Sequence, residues 1–85
     1  MVSDTLFVTL LYPKGKGVDA CSLLKSLKEK GKVKILDVFF TFGRYDGVIV
    51  FEAPNEKEAM EFVMEMGFST QYLLETLVAV PAREL

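Results

Sequence analysis

The strongest constraint on the fold is an unbroken apolar segment, Val48–Phe51, which follows a short stretch bracketed by Gly43 and Gly47. Side chains alternate between the two faces of a β-strand, so a wholly apolar strand is hydrophobic on both faces. Such a strand is covered on both faces. The segment therefore predicts a central strand in a sheet that is covered from two sides.

The part of the chain before this turn has the pattern of a strand, a helix and a second strand. Thr5–Tyr12 is rich in β-branched and aromatic residues, as is typical of a strand. Asp19 is a suitable helix N-cap, and Gly31 is suited to the left-handed conformation that often ends a helix. Val33–Phe42 is the predicted second strand. The buried face of the predicted helix has the spacing i, i+3, i+4, i+7 in Ala20, Leu23, Leu24 and Leu27.

The part of the chain after this turn has the same order of elements, a strand, a helix and a strand. Pro54 ends the third strand, and Asn55 followed by Glu58 resembles a capping box that begins a second helix. We expect this helix to end at Gly67 and a last strand to run from Thr70 to Val80. The predicted buried positions of the second helix are Ala59, Phe62, Val63 and Met66.

The element order βαββαβ predicts one α+β domain over residues 1–85, with a ferredoxin-like, four-stranded antiparallel sheet. Two helices cover only one face of such a sheet. The other face is expected to carry one side of the third strand together with Ile35, Phe39, Leu73 and Leu77. A contiguous apolar surface of this kind is normally covered. We therefore expect a second copy to pack against it, forming a dimeric α/β barrel.

Composition supports self-association. An 85-residue chain buries only about 60–65% of its surface on folding, so small domains commonly gain stability from disulfides, metals or oligomerisation. One cysteine permits no internal disulfide, and the absence of histidine argues against a metal site or a metal cofactor. Apolar residues make up 51% of the chain. A homodimer or a higher homo-oligomer is the expected assembly.

Charge and hydropathy disfavour other classes of protein. The net charge of −2 lacks the basic excess of nucleic-acid binders. No apolar run reaches the ~20 residues of a membrane span. Since the first residues do not resemble a signal peptide, the expected location is the cytosol. The absence of histidine also removes the commonest general base, which makes an enzyme the less favoured class.

Two groups of residues are candidates for a site. The first is the turn Arg44, Tyr45 and Asp46, which edges the predicted barrel, where Arg44 could hold an anion. Alternatively, Asp46 bonds turn amides and Tyr45 packs over the hairpin. The second group, Asp37, Thr41 and Glu75, is expected on the face without helices.

For the second group, with Thr9 beside it, three roles remain open. Carboxylates inside a barrel could act as a general acid/base pair, contact a ligand, or pair with cations and amides at the dimer seam.

The stretch from Thr41 to Asn55, TFGRYDGVIVFEAPN, resembles the signature of the GYD-domain family, and Leu74–Leu77, LETL, resembles its last strand. The likeness extends over residues 32–80. It implies a dimeric α/β barrel and no settled activity. A looser resemblance, in the G-x-Y-D-like hairpin and the last strand, is to the ligand-sensing domain of Lrp/AsnC-type regulators. That likeness implies an amino-acid effector bound near the hairpin, between subunits.

Three functional hypotheses follow. The first is a small-molecule-binding or sensing module, needing no cofactor, whose site lies between subunits. The second is a cofactor-independent enzyme that uses a carboxylate in the barrel interior as its base. The third is a structural oligomer without a ligand.

Overall fold

The computed structural model describes residues 4–12, 27, 29, 31–41, 43–70 and 73–85, and for residues 68–70 it describes only the backbone. The elements are β1 (Thr5–Tyr12), β2 (Lys34–Phe40), β3 (Gly47–Ala53), the helix α1 (Glu56–Thr70), β4 (Leu73–Ala79) and a short 3-10 helix (Ala82–Glu84). All four predicted strands are confirmed, with ends that differ by up to three residues.

The predicted first helix lies mostly outside the described residues. Leu27 and Glu29 are described and belong to no helix or strand, so a helix does not continue to Gly31. Leu27 is partly buried against the core, as its place in the apolar pattern predicts. Gly31 has a φ of +61°, which is the left-handed conformation expected of it.

The four strands form one antiparallel sheet in the order β2-β3-β1-β4. This is the strand order of the ferredoxin-like plan, with the first and third strands at the centre. The predicted α+β class is confirmed. The central strands, β1 and β3, pair from Thr5 with Ala53 to Leu11 with Gly47. No helix in the described part of the chain is long and apolar enough to cross a membrane.

The core lies between the sheet and α1. Phe51 is fully buried; its ring stacks on Phe7 at 5.4 Å between centroids and meets Phe62 of α1 edge to face at 4.9 Å. Aromatic pairs in these geometries add about 0.5–1.5 kcal/mol beyond the area they bury. These three rings therefore fix α1 on one face of the sheet, which we call the covered face.

The start of α1 is capped as predicted. The Glu58 backbone N–H donates to Asn55 Oδ1 at 2.9 Å, which satisfies one of the free amides of the first turn. The predicted end at Gly67 is wrong, because the helix continues to Thr70. A single glycine lowers helix stability by about 1 kcal/mol and does not by itself end a helix.

A bulge in β2 changes which residues face the core. Ile35 pairs with Phe51 while Asp37 pairs with Val50, so Leu36 is an extra residue between them. Ile35 consequently lies on the covered face and packs against the core, and its predicted place on the helix-free face is wrong. Strict alternation fails here because one inserted residue reverses the phase of a strand.

Among the residues that the structure describes, no helix lies on the second face of the sheet, which we call the open face. The register places its residues in rows that cross all four strands. Phe39, Leu73 and Leu77 lie on it as predicted, and they are 51%, 61% and 44% exposed. The open face consists of Leu6, Val8, Leu10, Tyr12, Lys34, Asp37, Phe39, Val48, Val50, Glu52, Leu73, Glu75, Leu77 and Ala79.

Candidate functional site

A polar cluster lies at one end of the open face. Tyr12, the last residue of β1, donates its phenolic hydrogen to Glu75 Oε1. The pairing of Leu10 with Glu75 and of Tyr12 with Leu73 makes Tyr12 and Glu75 diagonal neighbours on adjacent strands. The contact therefore follows directly from the β1–β4 register.

Tyr45 joins this cluster from the β2–β3 turn. Its ring meets the ring of Tyr12 edge to face, with 4.9 Å between centroids and 69° between planes. Such a pair is favourable because the positive edge of one ring meets the negative face of the other. Tyr12, Tyr45 and Glu75 thus form one contiguous group, which we call the tyrosine cluster.

Backbone hydrogen bonds hold the turn in place beside β1. The Asp46 amide donates to the Leu11 carbonyl at 2.7 Å, and the Thr41 amide donates to the Asp46 carbonyl at 3.1 Å. The Thr41 hydroxyl donates to the Tyr45 carbonyl at 2.7 Å. Gly43 has a φ of +119°, a conformation that residues with a side chain rarely adopt. Tyr45 is therefore positioned by a turn bonded to the end of β1.

The electrostatics of the cluster keep Tyr12 protonated. Its hydrogen bond to Glu75 raises the pKa of Tyr12 well above the usual value near 10, and contact with Tyr45 acts in the same direction. Ionisation would place a phenolate beside the Glu75 carboxylate, and the repulsion between them also raises the pKa of Tyr12. Tyr12 is therefore a neutral hydrogen-bond donor throughout the physiological range.

The predicted site residues divide into those at the turn and those on the sheet. Tyr45 and Glu75 come together through Tyr12. Thr41 and Asp46 hold the turn through the Thr41 hydroxyl and through backbone bonds of both residues. Arg44 is exposed in the same turn.

Asp37 lies apart from the tyrosine cluster. It is exposed on the edge strand β2, whereas Glu75 belongs to the opposite edge strand, β4. Three inter-strand spacings of about 4.8 Å separate these strands, or roughly 14 Å. An acid/base pair of Asp37 and Glu75 is not formed within one chain.

Thr9 does not join the carboxylates on the open face, contrary to expectation. It is fully buried on the covered face, where its hydroxyl is 2.8 Å from that of Thr76. Thr9 alternates with Val8 and Leu10 and pairs with Ile49, a core residue. Its hydroxyl is therefore satisfied inside the core, away from any site on the open face.

Tyr12 is the site residue that sequence reasoning missed. Tyr12 lies two residues after Leu10 and four after Val8, so the three side chains share the open face. That signal was present in the sequence. Its contact with Glu75 depends on the register between the first and last strands, which the sequence pattern leaves unspecified.

Metal-binding side chains and a surface groove are two other features that bear on a site. Among residues 4–12, 27, 29, 31–41, 43–70 and 73–85, no three metal-binding side chains come together. A groove of about 390 Å³ lies between α1 and β4 on the covered face. Its walls include Phe7, Val63, Leu74 and Val78, and it contains none of the predicted site residues.

Comparison with curated proteins gives no significant match. The sequence model of the GYD domain matches residues 13–85. This range contains β2, β3, α1 and β4, and with them the turn that carries Tyr45 and the strand that carries Glu75. The match spans well over half of the chain, and the chain therefore belongs to the GYD domain family.

Proposed function

We propose that this protein is a small-molecule-binding module that acts as a homodimer, with its ligand held where the open faces of two copies meet at the tyrosine cluster. The observation that supports this most directly is the position of Tyr12, Tyr45 and Glu75 at one end of a sheet face whose central strands are mainly apolar. Ligand sites are commonly apolar clefts with a few convergent polar groups.

The dimer is supported by the distribution of polarity on the open face. Its central strands contribute Leu6, Val8, Leu10, Val48 and Val50. The four charged residues lie on the edge strands or at a strand end: Lys34, Asp37, Glu52 and Glu75. An apolar centre with a charged rim is the usual organisation of a protein interface.

A second copy of the chain is the occupant that fits this surface best. Four strands about 4.8 Å apart, each at least seven residues long, span roughly 19 by 23 Å. A two-fold interface places each patch against its own copy, so the apolar centres meet. The side chains that such packing would remove from water include the half-exposed Phe39 and Leu77.

The ligand pocket would form at the end of this interface. Tyr12 and Glu75 present a phenol and a carboxylate there, and Tyr45 supplies a wall from the turn. Arg44 and Asp37 lie farther out, where they could meet polar groups of a bound molecule or of the second copy. A molecule with an apolar body and one polar group matches this arrangement.

The assembly is tested with two substitutions at neighbouring positions of β4. Leu77 faces the open face and Val78 faces the covered face, and both are exposed in one chain, at 44% and 60%. Multi-angle light scattering should give twice the chain mass of 9.5 kDa for the wild type and for Val78→Glu. Leu77→Glu should give one chain mass, because it buries a carboxylate in the interface. A wild-type protein that is a single chain at micromolar concentration would overturn the dimer.

Ligand binding is tested by a thermal-shift screen of amino acids, short organic acids, nucleotides and organic amines. A ligand that binds the folded protein raises its melting temperature. The rise should be lost in Tyr45→Leu and kept in Glu61→Gln, a control on the exposed side of α1. A dimer that none of these compounds stabilises would favour a structural oligomer instead.

The enzyme hypothesis gains less support from the geometry. One form of it, an acid/base pair of Asp37 and Glu75, would need these two residues close together, and they lie on opposite edges of one sheet. Turnover of a compound found in the screen, abolished by Glu75→Gln, would revive it.

A further inference from the structure

The tyrosine cluster has a shape and a charge that select among ligands. The rings of Tyr12 and Tyr45 stand at 69° to each other with centroids 4.9 Å apart, so they form the two walls of a corner. Glu75 lies against the hydroxyl of Tyr12 and adds a carboxylate at the same place. All three side chains are half-buried, which leaves part of each accessible.

We propose that the ligand of this site carries an organic ammonium group, held by the ring corner of Tyr12 and Tyr45 and by the carboxylate of Glu75. This inference rests on the proposed ligand-binding function and names the class of ligand. It requires only side chains that the described structure already brings together.

The chemistry of aromatic rings gives the first reason. The face of a tyrosine ring is negative, and a cation near it is attracted by about 0.5–2 kcal/mol, depending on how much water is removed. Two ring walls at a steep angle let one cation approach more than one ring. The phenol of Tyr12 is also polarised by its hydrogen bond to a carboxylate, which increases the electron density of its ring.

The carboxylate gives the second reason. A carboxylate accepts up to about four hydrogen bonds, and Tyr12 occupies one position on Glu75. An ammonium group donates hydrogen bonds or presents positive charge, and both suit the remaining positions. An anionic group placed in the same corner would meet Glu75 at close range and be repelled.

Arg44 offers the contrasting possibility. It is exposed in the same turn as Tyr45, and its planar donors suit carboxylates and phosphates. A ligand bound mainly through Arg44 would be an anion held at the rim of the open face. The two classes of ligand are therefore distinguished by which substitution abolishes binding.

The test uses a cation and its neutral isostere on the full-length protein. Isothermal titration calorimetry compares choline with 3,3-dimethyl-1-butanol, which has a carbon in place of the charged nitrogen. A second pair, cyclohexylamine and cyclohexanol, tests a primary ammonium. We expect at least one ammonium compound to bind about tenfold or more tightly than its isostere, as the ring and carboxylate contacts predict.

Substitutions assign the binding to the cluster. Tyr45→Leu and Glu75→Gln should each weaken ammonium binding about fivefold or more, whereas Tyr45→Phe, which keeps the ring, should retain it. Arg44→Ala should bind the ammonium compound at least as tightly as the wild type, since it removes a nearby positive charge. Glu61→Gln is the charge-matched control and should bind as the wild type does.

Each result separates this inference from the proposed function. Equal binding of the isosteres, or binding of carboxylates that Arg44→Ala abolishes, would overturn the ammonium ligand and leave a ligand-binding dimer. Failure of both ammonium compounds to bind, while another class in the thermal-shift screen does, would have the same effect. A dimer that binds neither the amines nor any compound of the screen would overturn both proposals.

Discussion

Tyr12 donates a hydrogen bond to Glu75 across 63 positions of sequence. The contact joins the last residue of β1 to the edge strand β4 at one end of the open face. It also brings the Tyr45 ring of the β2–β3 turn to the same place. Three separate parts of the chain therefore meet at a point that depends on strand register.

The Tyr12–Glu75 contact predicts a late-titrating tyrosine. Since the hydrogen bond raises the pKa of Tyr12 above that of an unfolded tyrosine, near 10, its stabilising contribution is fully present below pH 10. The contribution is lost as the pH rises from 10 towards the higher folded pKa. Ultraviolet titration of tyrosinate should show one phenol ionising after the others.

Tyr12→Phe supplies the control for that titration. The late step should disappear, and the stability difference between wild type and variant should shrink above pH 10 in urea unfolding. A late step that persists in Tyr12→Phe would assign it to another tyrosine and contradict the contact.

The hydrogen bond between buried Thr9 and exposed Thr76 predicts non-additive substitutions. Each single change to valine removes a hydrogen bond worth about 1 kcal/mol and leaves the other hydroxyl without this partner. The double variant removes both hydroxyls and should lose less than the two single losses combined. Urea unfolding of the four proteins measures the coupling; strict additivity would show that the hydroxyls do not interact.

The cap of α1 predicts a difference between two substitutions at one position. Asn55→Ala removes the acceptor of the Glu58 amide and should cost about 1 kcal/mol in the free energy of unfolding. Asn55→Ser keeps a capping oxygen and should cost only a few tenths of that. Equal losses in chemical unfolding would mean that Asn55 acts through some contact other than the cap.

The ring contacts of Phe51 predict the largest effect of a single core substitution. Phe51→Ala removes a fully buried ring that touches both Phe7 and Phe62 and should cost about 3–5 kcal/mol. Met60→Ala, at a position of α1 that is 61% exposed, should change stability by less than about 0.5 kcal/mol. Thermal unfolding monitored by circular dichroism compares them, and similar melting temperatures would contradict the assigned core.

Local sequence signals were sufficient for most of the fold. The strands follow from β-branched and aromatic residues, the start of α1 from Asn55, and the left-handed residue before β2 from Gly31. The order of the strands is the one expected of a ferredoxin-like βαββαβ plan.

The site was less predictable because it depends on pairings between distant strands. Tyr45 and Glu75 were both identified as candidates, but the residue that connects them, Tyr12, was not. Thr9 was expected on the open face beside the carboxylates, and it lies buried on the covered face. There its hydroxyl is 2.8 Å from the hydroxyl of Thr76.

The extra residue at Leu36 determines what the edge of the open face presents to a neighbour. If β2 alternated regularly through Leu36, the side chains of Ile35 and Asp37 would share one side of the strand, and either an isoleucine would leave the core or an aspartate would enter it. The irregularity lets a single seven-residue strand serve the hydrophobic interior at Ile35 and Val38 and the solvent-facing rim at Asp37. Deleting Leu36 would make Ile35 and Asp37 consecutive residues that still point to opposite faces, so both side chains should keep their present sides of the sheet.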